Sequence, residues 1–225
     1  MTKSGGEITV CRRCGFIGKF SDPSYSGYHQ DRYGYKMVRD ESKDPMLQKI
    51  KDENFIKEGM KVLDYGCGAG DYSHFIYQIT EDIIGADINI EIAEKRFPEI
   101  NFKLIDPSKE RLIFPANSFD VILAVNVIEV HDFDNLLSEF KRILRKNGTL
   151  FITTYDANFV LHPILNDPTH VYEWSEVEFT KLISGEFKMI KSFKYGSFFN
   201  YYPWNKIIVK FLKPELCAIA EKKSQ

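Results

Sequence analysis

A chain of 225 residues with 44% hydrophobic residues is long enough to bury one substantial core, and its formal net charge of −2 does not favour a nucleic-acid-binding protein. It contains no run approaching the ~20 apolar residues of a membrane span and no apolar signal-peptide core at its N-terminus. Its four cysteines are not spaced as a disulfide framework, and we therefore expect a cytoplasmic protein.

The first 42 residues are polar and lack sustained periodicity, which predicts an N-terminal arm or lid. Cys11 and Cys14 form a C-x-x-C pair, which can supply half of a tetrahedral zinc site. No second pair follows, although His29 is available as a third ligand. We predict that the chain holds no metal ion. If one is bound, Cys11 and Cys14 are the candidate ligands.

From residue 43 onwards, strand-like and helix-like segments alternate. A helical pattern with Met46, Leu47, Ile50 and Phe55–Ile56 on its apolar face comes first. The predicted elements that follow are strand 60–65, helix 70–79, strand 82–87, helix 89–97, strands 101–105 and 119–126, helix 134–145, strand 148–155, a helix capped by Ser175, and strands 187–195 and 215–221. This alternation predicts an α/β fold with a parallel sheet and helices on both faces.

The segment Val62–Gly70 is the most informative part of the chain. It predicts a buried strand, a glycine turn and the start of a helix, which is where α/β sheets bind nucleotide-like cofactors. The glycine spacing is G-x-G-x-G, and Asp64 stands two places before Gly66. An acid at this position would repel a pyrophosphate but suits the ammonium and sulfonium of S-adenosylmethionine, which we predict as the cofactor.

Two further acids follow apolar runs of the same kind. Asp87 ends the run that begins at Ile83, at the distance from the glycine turn where an acid accepts hydrogen bonds from ribose hydroxyls. Asp106 ends the next run, from which it can reach the adenine amino group.

With these motifs, the chain resembles the class I S-adenosylmethionine-dependent methyltransferases, and most closely the small-molecule enzymes with a type 11 methyltransferase domain. Residues 59–155 carry the resemblance. It implies a Rossmann-like, doubly wound, seven-stranded sheet over residues 43–225, with the last strand antiparallel between its neighbours and an insertion at 197–213. Asn147 replaces a proline that is usual in the family, and we expect Gly148 to supply the left-handed residue there.

The resemblance also implies a set of site residues. Asn126 and Glu129 are expected beneath the transferred methyl group. The expected cofactor-binding residues are Asp64, Tyr65, Gly66, Gly68, Gly70, Asp87, Ile88, Asp106 and Asn126.

A hydroxyl acceptor needs a base to remove its proton, and histidine has a suitable pKa. His170 lies just after the fifth strand of the predicted parallel sheet, in a loop expected to overhang the methyl group, and is our preferred catalytic base. A structural role in that loop is the alternative. His131 follows the fourth strand, and we interpret it as a solvated loop residue.

The acceptor is the least determined part of the function. We expect a small molecule or a glycan, lipid-linked or free, methylated on oxygen. The aromatic and basic segment 198–213 fits a peripheral membrane contact, a wall of the acceptor pocket or a dimer contact. The alternatives are an RNA methyltransferase with an N-terminal zinc element and a catalytically inactive regulatory subunit that binds S-adenosylmethionine.

Overall fold

The computed structural model describes residues 8–10, 17–19, 45–106, 109, 111–128, 133–158, 174–195 and 215–223. These ranges contain nine strands and five helices. In chain order they are β1 (Ile8–Val10), β2 (Ile17–Lys19), α1 (Pro45–Glu53), β3 (Val62–Tyr65), α2 (Asp71–Tyr77), β4 (Ile83–Asp87), α3 (Glu91–Arg96), β5 (Asn101–Leu104), β6 (Phe119–Val125), α4 (Phe133–Ile143), β7 (Leu144–Tyr155), α5 (Glu176–Glu186), β8 (Phe187–Tyr195) and β9 (Glu215–Lys222).

Seven of the strands form one sheet in the order β5-β4-β3-β6-β7-β9-β8. Strands β3 to β7 pair in parallel, and β9 lies antiparallel between β7 and β8. This topology confirms the predicted doubly wound sheet, including the position of its last strand. Strands β1 and β2 form a separate antiparallel pair.

The alternation of side chains along the strands divides the core into two layers. Ile122 and Ile152 belong to the layer that includes Phe140 of α4 and Phe179 of α5. Side chains on the opposite face of the sheet form a second layer with α1, α2 and α3. The buried runs of the sequence therefore become the inner strands of a sheet covered by helices on both sides, as predicted.

Local signals fix two of the helix ends. Ser175 caps α5 as predicted, because its side chain accepts the Glu178 backbone N–H while the Glu178 carboxylate accepts the Ser175 backbone N–H. Helix α1 ends at Glu53, and Asn54 follows at a φ of 54°. Phe55 and Ile56 therefore lie beyond the helix instead of on its face.

The turn at Asn147 and Gly148 corrects one prediction. Asn147 adopts the left-handed conformation, with a φ of 61°, so Gly148 does not supply it. Gly148 is required for space, because a Cβ there would lie 2.9 Å from Leu144 Cδ2 and 3.1 Å from the Asp120 carbonyl oxygen. Asparagine tolerates positive φ because its short side chain can hydrogen-bond locally.

Within the described ranges, no helix combines the length and the apolar character that crossing a membrane requires.

Candidate cofactor site

The glycine turn connects β3 to α2. Its glycines have positive backbone φ angles, which residues with a side chain rarely adopt. Gly66, Gly68 and Gly70 have φ angles of 78°, 52° and 85°. A Cβ at Gly66 would also lie 2.6 Å from Val127 Cγ2, in the turn that follows β6. Conformation and space together therefore require glycine at position 66.

Hydrogen bonds fix this turn to the end of β4. The Gly66 and Cys67 backbone N–H groups both donate to the Ala86 carbonyl, with N···O distances of 2.7 and 3.1 Å. The Gly68 N–H donates to Asp87 Oδ2 at 2.9 Å. Because parallel pairing sets Tyr65 opposite Ala86, the turn and the acid at the end of β4 meet at one edge of the sheet.

Asp87 presents a half-buried carboxylate at this edge. Oδ2 accepts the Gly68 N–H, and Oδ1 accepts the Asn89 N–H at 3.0 Å. A carboxylate oxygen is a hydrogen-bond acceptor of the kind that the hydroxyls of a ribose require.

Asp64 lies beneath the turn, with 1% of its surface exposed. The Ser73 hydroxyl donates to Asp64 Oδ2 at 2.6 Å. Burial raises the pKa of the Asp64 carboxyl to about 7, and the neighbouring Asp87 charge adds to the effect. Gly85 leaves the room for this contact, because a Cβ there would lie 2.9 Å from Ser73 Oγ.

Tyr65 and Ile88 flank the two acids, and the side chain of Tyr65 points away from the turn into the core. Its ring is buried and packs edge-on against Phe140, with 5.0 Å between ring centroids. The Tyr65 side chain therefore belongs to the core, and only its backbone lines the turn. Ile88 follows Asp87 and is half-buried.

Asp106 and Asn126 stand at the same edge, on opposite sides of the turn. The Ile105 N–H donates to the Asp87 carbonyl at 3.0 Å, which places Asp106 beside the end of β4. Its side chain is 54% exposed. Asn126 follows β6 at a φ of 53°, and its Oδ1 accepts the Thr153 hydroxyl at 3.1 Å.

Several predicted residues lie outside the described residues. They are Cys11, Cys14, His29, Glu129, His131, His170 and the segment 198–213. Among the residues that are described, no group of three or more histidine, cysteine or acidic side chains is arranged to hold a metal ion.

The described side chains at the turn fit a cofactor that carries positive charge. The carboxylates of Asp64, Asp71 and Asp87 lie at or next to the turn, and the guanidinium of Arg96 neutralises one of them through its pair with Asp71. Asp87, together with Asp64 once its carboxyl has released its proton near pH 7, favours an ammonium or sulfonium and disfavours a pyrophosphate.

Several residues that organise this site are not among those predicted from the sequence. Ser73 bonds to Asp64, Thr153 bonds to Asn126, and Arg96 bonds to Asp71 and to the Ala69 carbonyl. The last three contacts join residues 25 to 27 positions apart, for which no local pattern exists. Ser73 had one usable signal, since a polar residue on the buried face of α2 needs a partner.

Comparison with known proteins agrees with this geometry. The model of a family described as "Methyltransferase domain" matches residues 56–211, which is more than half of the chain. A solved S-adenosylmethionine-dependent methyltransferase from Aquifex aeolicus superposes with a TM-score of 0.61 at 20% identity, covering 90% of this chain and 99% of that one. The chain therefore belongs to the class I S-adenosylmethionine-dependent methyltransferases, and S-adenosylmethionine is its cofactor.

Relatives with named activities match only part of the chain. The ubiquinone biosynthesis O-methyltransferase of Pelagibacter ubique is 32% identical over 114 residues, which are 47% of this chain and 46% of that protein. A sterol 24-C-methyltransferase of Gibberella zeae is 32% identical over 102 residues, which are 41% of this chain and 27% of that protein. The chain thus spans less than half the length of either relative.

Proposed function

We propose that this protein transfers the methyl group of S-adenosylmethionine to an oxygen atom of a small-molecule acceptor. The observation that carries its cofactor part is the placement of two acids, Asp64 and Asp87, around a glycine turn at the carboxyl edge of the sheet. The choice of oxygen is supported by the relative that is named as an O-methyltransferase. Both relatives reported above have names that refer to small organic molecules, which supports an acceptor of that class.

Each side chain has a part in this proposal. Asp87 accepts the ribose hydroxyls, and the turn at Gly66, Gly68 and Gly70 holds the methionine end. Asp64 is too buried for wide contact, so it stabilises the cofactor's positive charge across the turn. Asp106 reaches the adenine, while Asn126 and Glu129 line the floor below the methyl group.

S-adenosylmethionine, when bound, supplies an electrophilic methyl group on a positively charged sulfur. The protein has to align the acceptor's lone pair with the methyl–sulfur bond and keep water away. We assign His170 the task of taking the acceptor's proton as the new oxygen–methyl bond forms.

A carbon acceptor is the second candidate, because one of the relatives is named as a C-methyltransferase. A free or lipid-linked glycan, RNA methylation supported by a zinc element, and cofactor binding without turnover remain the other hypotheses. Identifying the atom that carries the methyl group in the product separates the oxygen and carbon alternatives.

The test begins with calorimetric titration of the purified protein with S-adenosylmethionine and with NAD, together with elemental analysis for zinc. The protein is then incubated with methyl-labelled S-adenosylmethionine and panels of phenols, sterols, glycans and RNA. We expect binding of S-adenosylmethionine alone, and label on the oxygen of a small molecule. Label in RNA accompanied by bound zinc would overturn the acceptor assignment, and cofactor binding without label in any panel would favour the regulatory alternative.

His170→Ala tests the catalytic base. We expect kcat to fall about 100-fold or more with nearly unchanged cofactor affinity, because general-base catalysis contributes about 10²–10⁴-fold. His162→Ala, which removes another histidine between β7 and α5, is the matched control. Equal kcat values in the two variants would exclude His170 as the base.

A further inference from the structure

Arg96, the last residue of α3, bonds to the two residues that flank the final glycine of the turn. Its Nη1 donates to the Ala69 carbonyl at 2.9 Å and to Asp71 Oδ2 at 3.2 Å. Its Nη2 donates to Asp71 Oδ1 at 2.6 Å. The side chains of Arg96 and Asp71 are only 15% and 13% exposed, so this two-pronged pair is shielded from solvent.

Aromatic packing reinforces this contact at the same corner. The Arg96 guanidinium lies 4.8 Å from the centroid of the Phe97 ring. The same ring stacks on His74 of α2, with 4.4 Å between ring centroids, and lies against Gly70, where a Cβ would be 3.0 Å from Phe97 Cδ2. Arg96 and Phe97 together thus join α3 to the Gly70–Asp71 corner through both polar and apolar contacts.

We propose that Arg96 is a positioning residue for the cofactor, which holds the Ala69–Asp71 end of the glycine turn in its binding conformation. The inference rests on the proposed use of this turn to hold the methionine end. Arg96 acts through the Ala69 carbonyl and the Asp71 carboxylate, and it has no assigned contact with the cofactor itself.

Charge alone predicts the opposite effect of removing Arg96. A guanidinium near the turn repels a cationic cofactor, so a purely electrostatic role would make S-adenosylmethionine bind more tightly once the arginine is lost. A positioning role predicts weaker binding, because the freed turn has to be ordered again when the ligand binds. The direction of the change in Kd therefore separates the two roles.

The test compares Arg96→Ala, Arg96→Lys and the matched control Lys95→Ala, which removes an exposed cation from the same helix. Calorimetry gives Kd for S-adenosylmethionine and for the product S-adenosylhomocysteine, which lacks the sulfonium charge. We expect Arg96→Ala to weaken both ligands about tenfold, and Arg96→Lys to recover only part of this, because one ammonium cannot reproduce the planar fork. Lys95→Ala should bind both ligands like the parent protein.

Kinetics and thermal unfolding complete the test. With an active acceptor, Arg96→Ala should raise KM for S-adenosylmethionine about tenfold and leave kcat nearly unchanged. Tighter binding of S-adenosylmethionine, or unchanged Kd values with only a lower unfolding temperature, would overturn the proposal. If the parent protein does not bind S-adenosylmethionine, the proposed function fails first, before Arg96 is tested.

Discussion

Two arginines in different parts of the structure each pair with a carboxylate and also donate to backbone carbonyls. Arg96 pairs with Asp71 at the carboxyl edge of the sheet and holds the Ala69 carbonyl. Arg142 pairs with Glu139 in the second half of α4, near the amino end of β6. Its Nη2 donates to the carbonyls of Leu112 and Phe114. Both pairs fix a non-regular segment against a helix.

The charges around the two pairs differ. At the amino end, Asp120 accepts the Lys61 backbone N–H and pairs with Arg145. At the carboxyl edge, by contrast, Asp64 is buried beside Asp87, and its carboxyl releases its proton only near pH 7. The amino end therefore pairs its acid with a base, whereas the carboxyl edge buries an acid whose ionisation costs stability and suits a cationic cofactor.

The largest effect should come from Asp64→Asn. The pKa of Asp64, raised from 3.8 to about 7, means that the folded protein keeps a proton which the unfolded chain releases near pH 4. The contribution of this group to the free energy of unfolding is therefore fully present below about pH 4 and is lost as the pH rises to 7. At 1.36 kcal/mol per pKa unit, the loss is about 4 kcal/mol. The Asn variant should escape this loss and be more stable than the parent protein at pH 8.

Denaturant unfolding of the two ligand-free proteins at pH 4 and pH 8 measures this difference. The same variant should bind S-adenosylmethionine more weakly, with a smaller effect on S-adenosylhomocysteine, because the missing charge faces a sulfonium in only one of them. If the unfolding free energies of Asp64→Asn and the parent protein differ by the same amount at both pH values, ionisation of Asp64 is not what lowers the stability.

Asp87→Ala should have the next largest effect. It removes the acceptor of the Gly68 N–H and the proposed ribose contacts, and hydrogen bonds to a charged group contribute about 1.5–3 kcal/mol. Cofactor affinity should fall about 10- to 150-fold in calorimetry. Asp120→Asn is the matched control, because Asp120 also accepts a backbone N–H but lies at the amino end. Equal Kd values for Asp87→Ala and the parent protein would remove Asp87 from the site.

Arg142→Ala should lower stability without changing cofactor binding. It removes the hydrogen bonds to Glu139 and to two backbone carbonyls, for which we expect a loss of about 2 kcal/mol in the free energy of unfolding. Chemical denaturation measures the loss, and Kd for S-adenosylmethionine should stay within about twofold of the parent value. A tenfold rise in Kd would show that the two ends of the sheet are coupled. The amino end would then contribute to cofactor binding as well as to stability.

Much of the fold was predictable because its signals are local. The apolar runs, the G-x-G-x-G turn and the Ser175 cap each determine the conformation of a few neighbouring residues, and the structure confirms the elements predicted from them. The role of Gly148 was misjudged because part of what confines it, the Asp120 carbonyl, is distant in the sequence. The packing of Tyr65 on Phe140 of α4 is likewise a contact that no local pattern indicates. A local signal was also missed, because Asn54 ends α1 before Phe55 and Ile56.

The sequence by itself determined the order of strands and helices, the glycine turn and the acids in the last residues of β3 and β4. Only the tertiary structure decided which of these acids is buried, which is partnered and which residues hold the turn. Asp64 obtained its Ser73 partner and its raised pKa from packing, and the turn obtained Arg96 from a helix 25 residues further along the chain. The physical reason is that burial and charge pairing depend on distances in space, which sequence spacing alone does not contain.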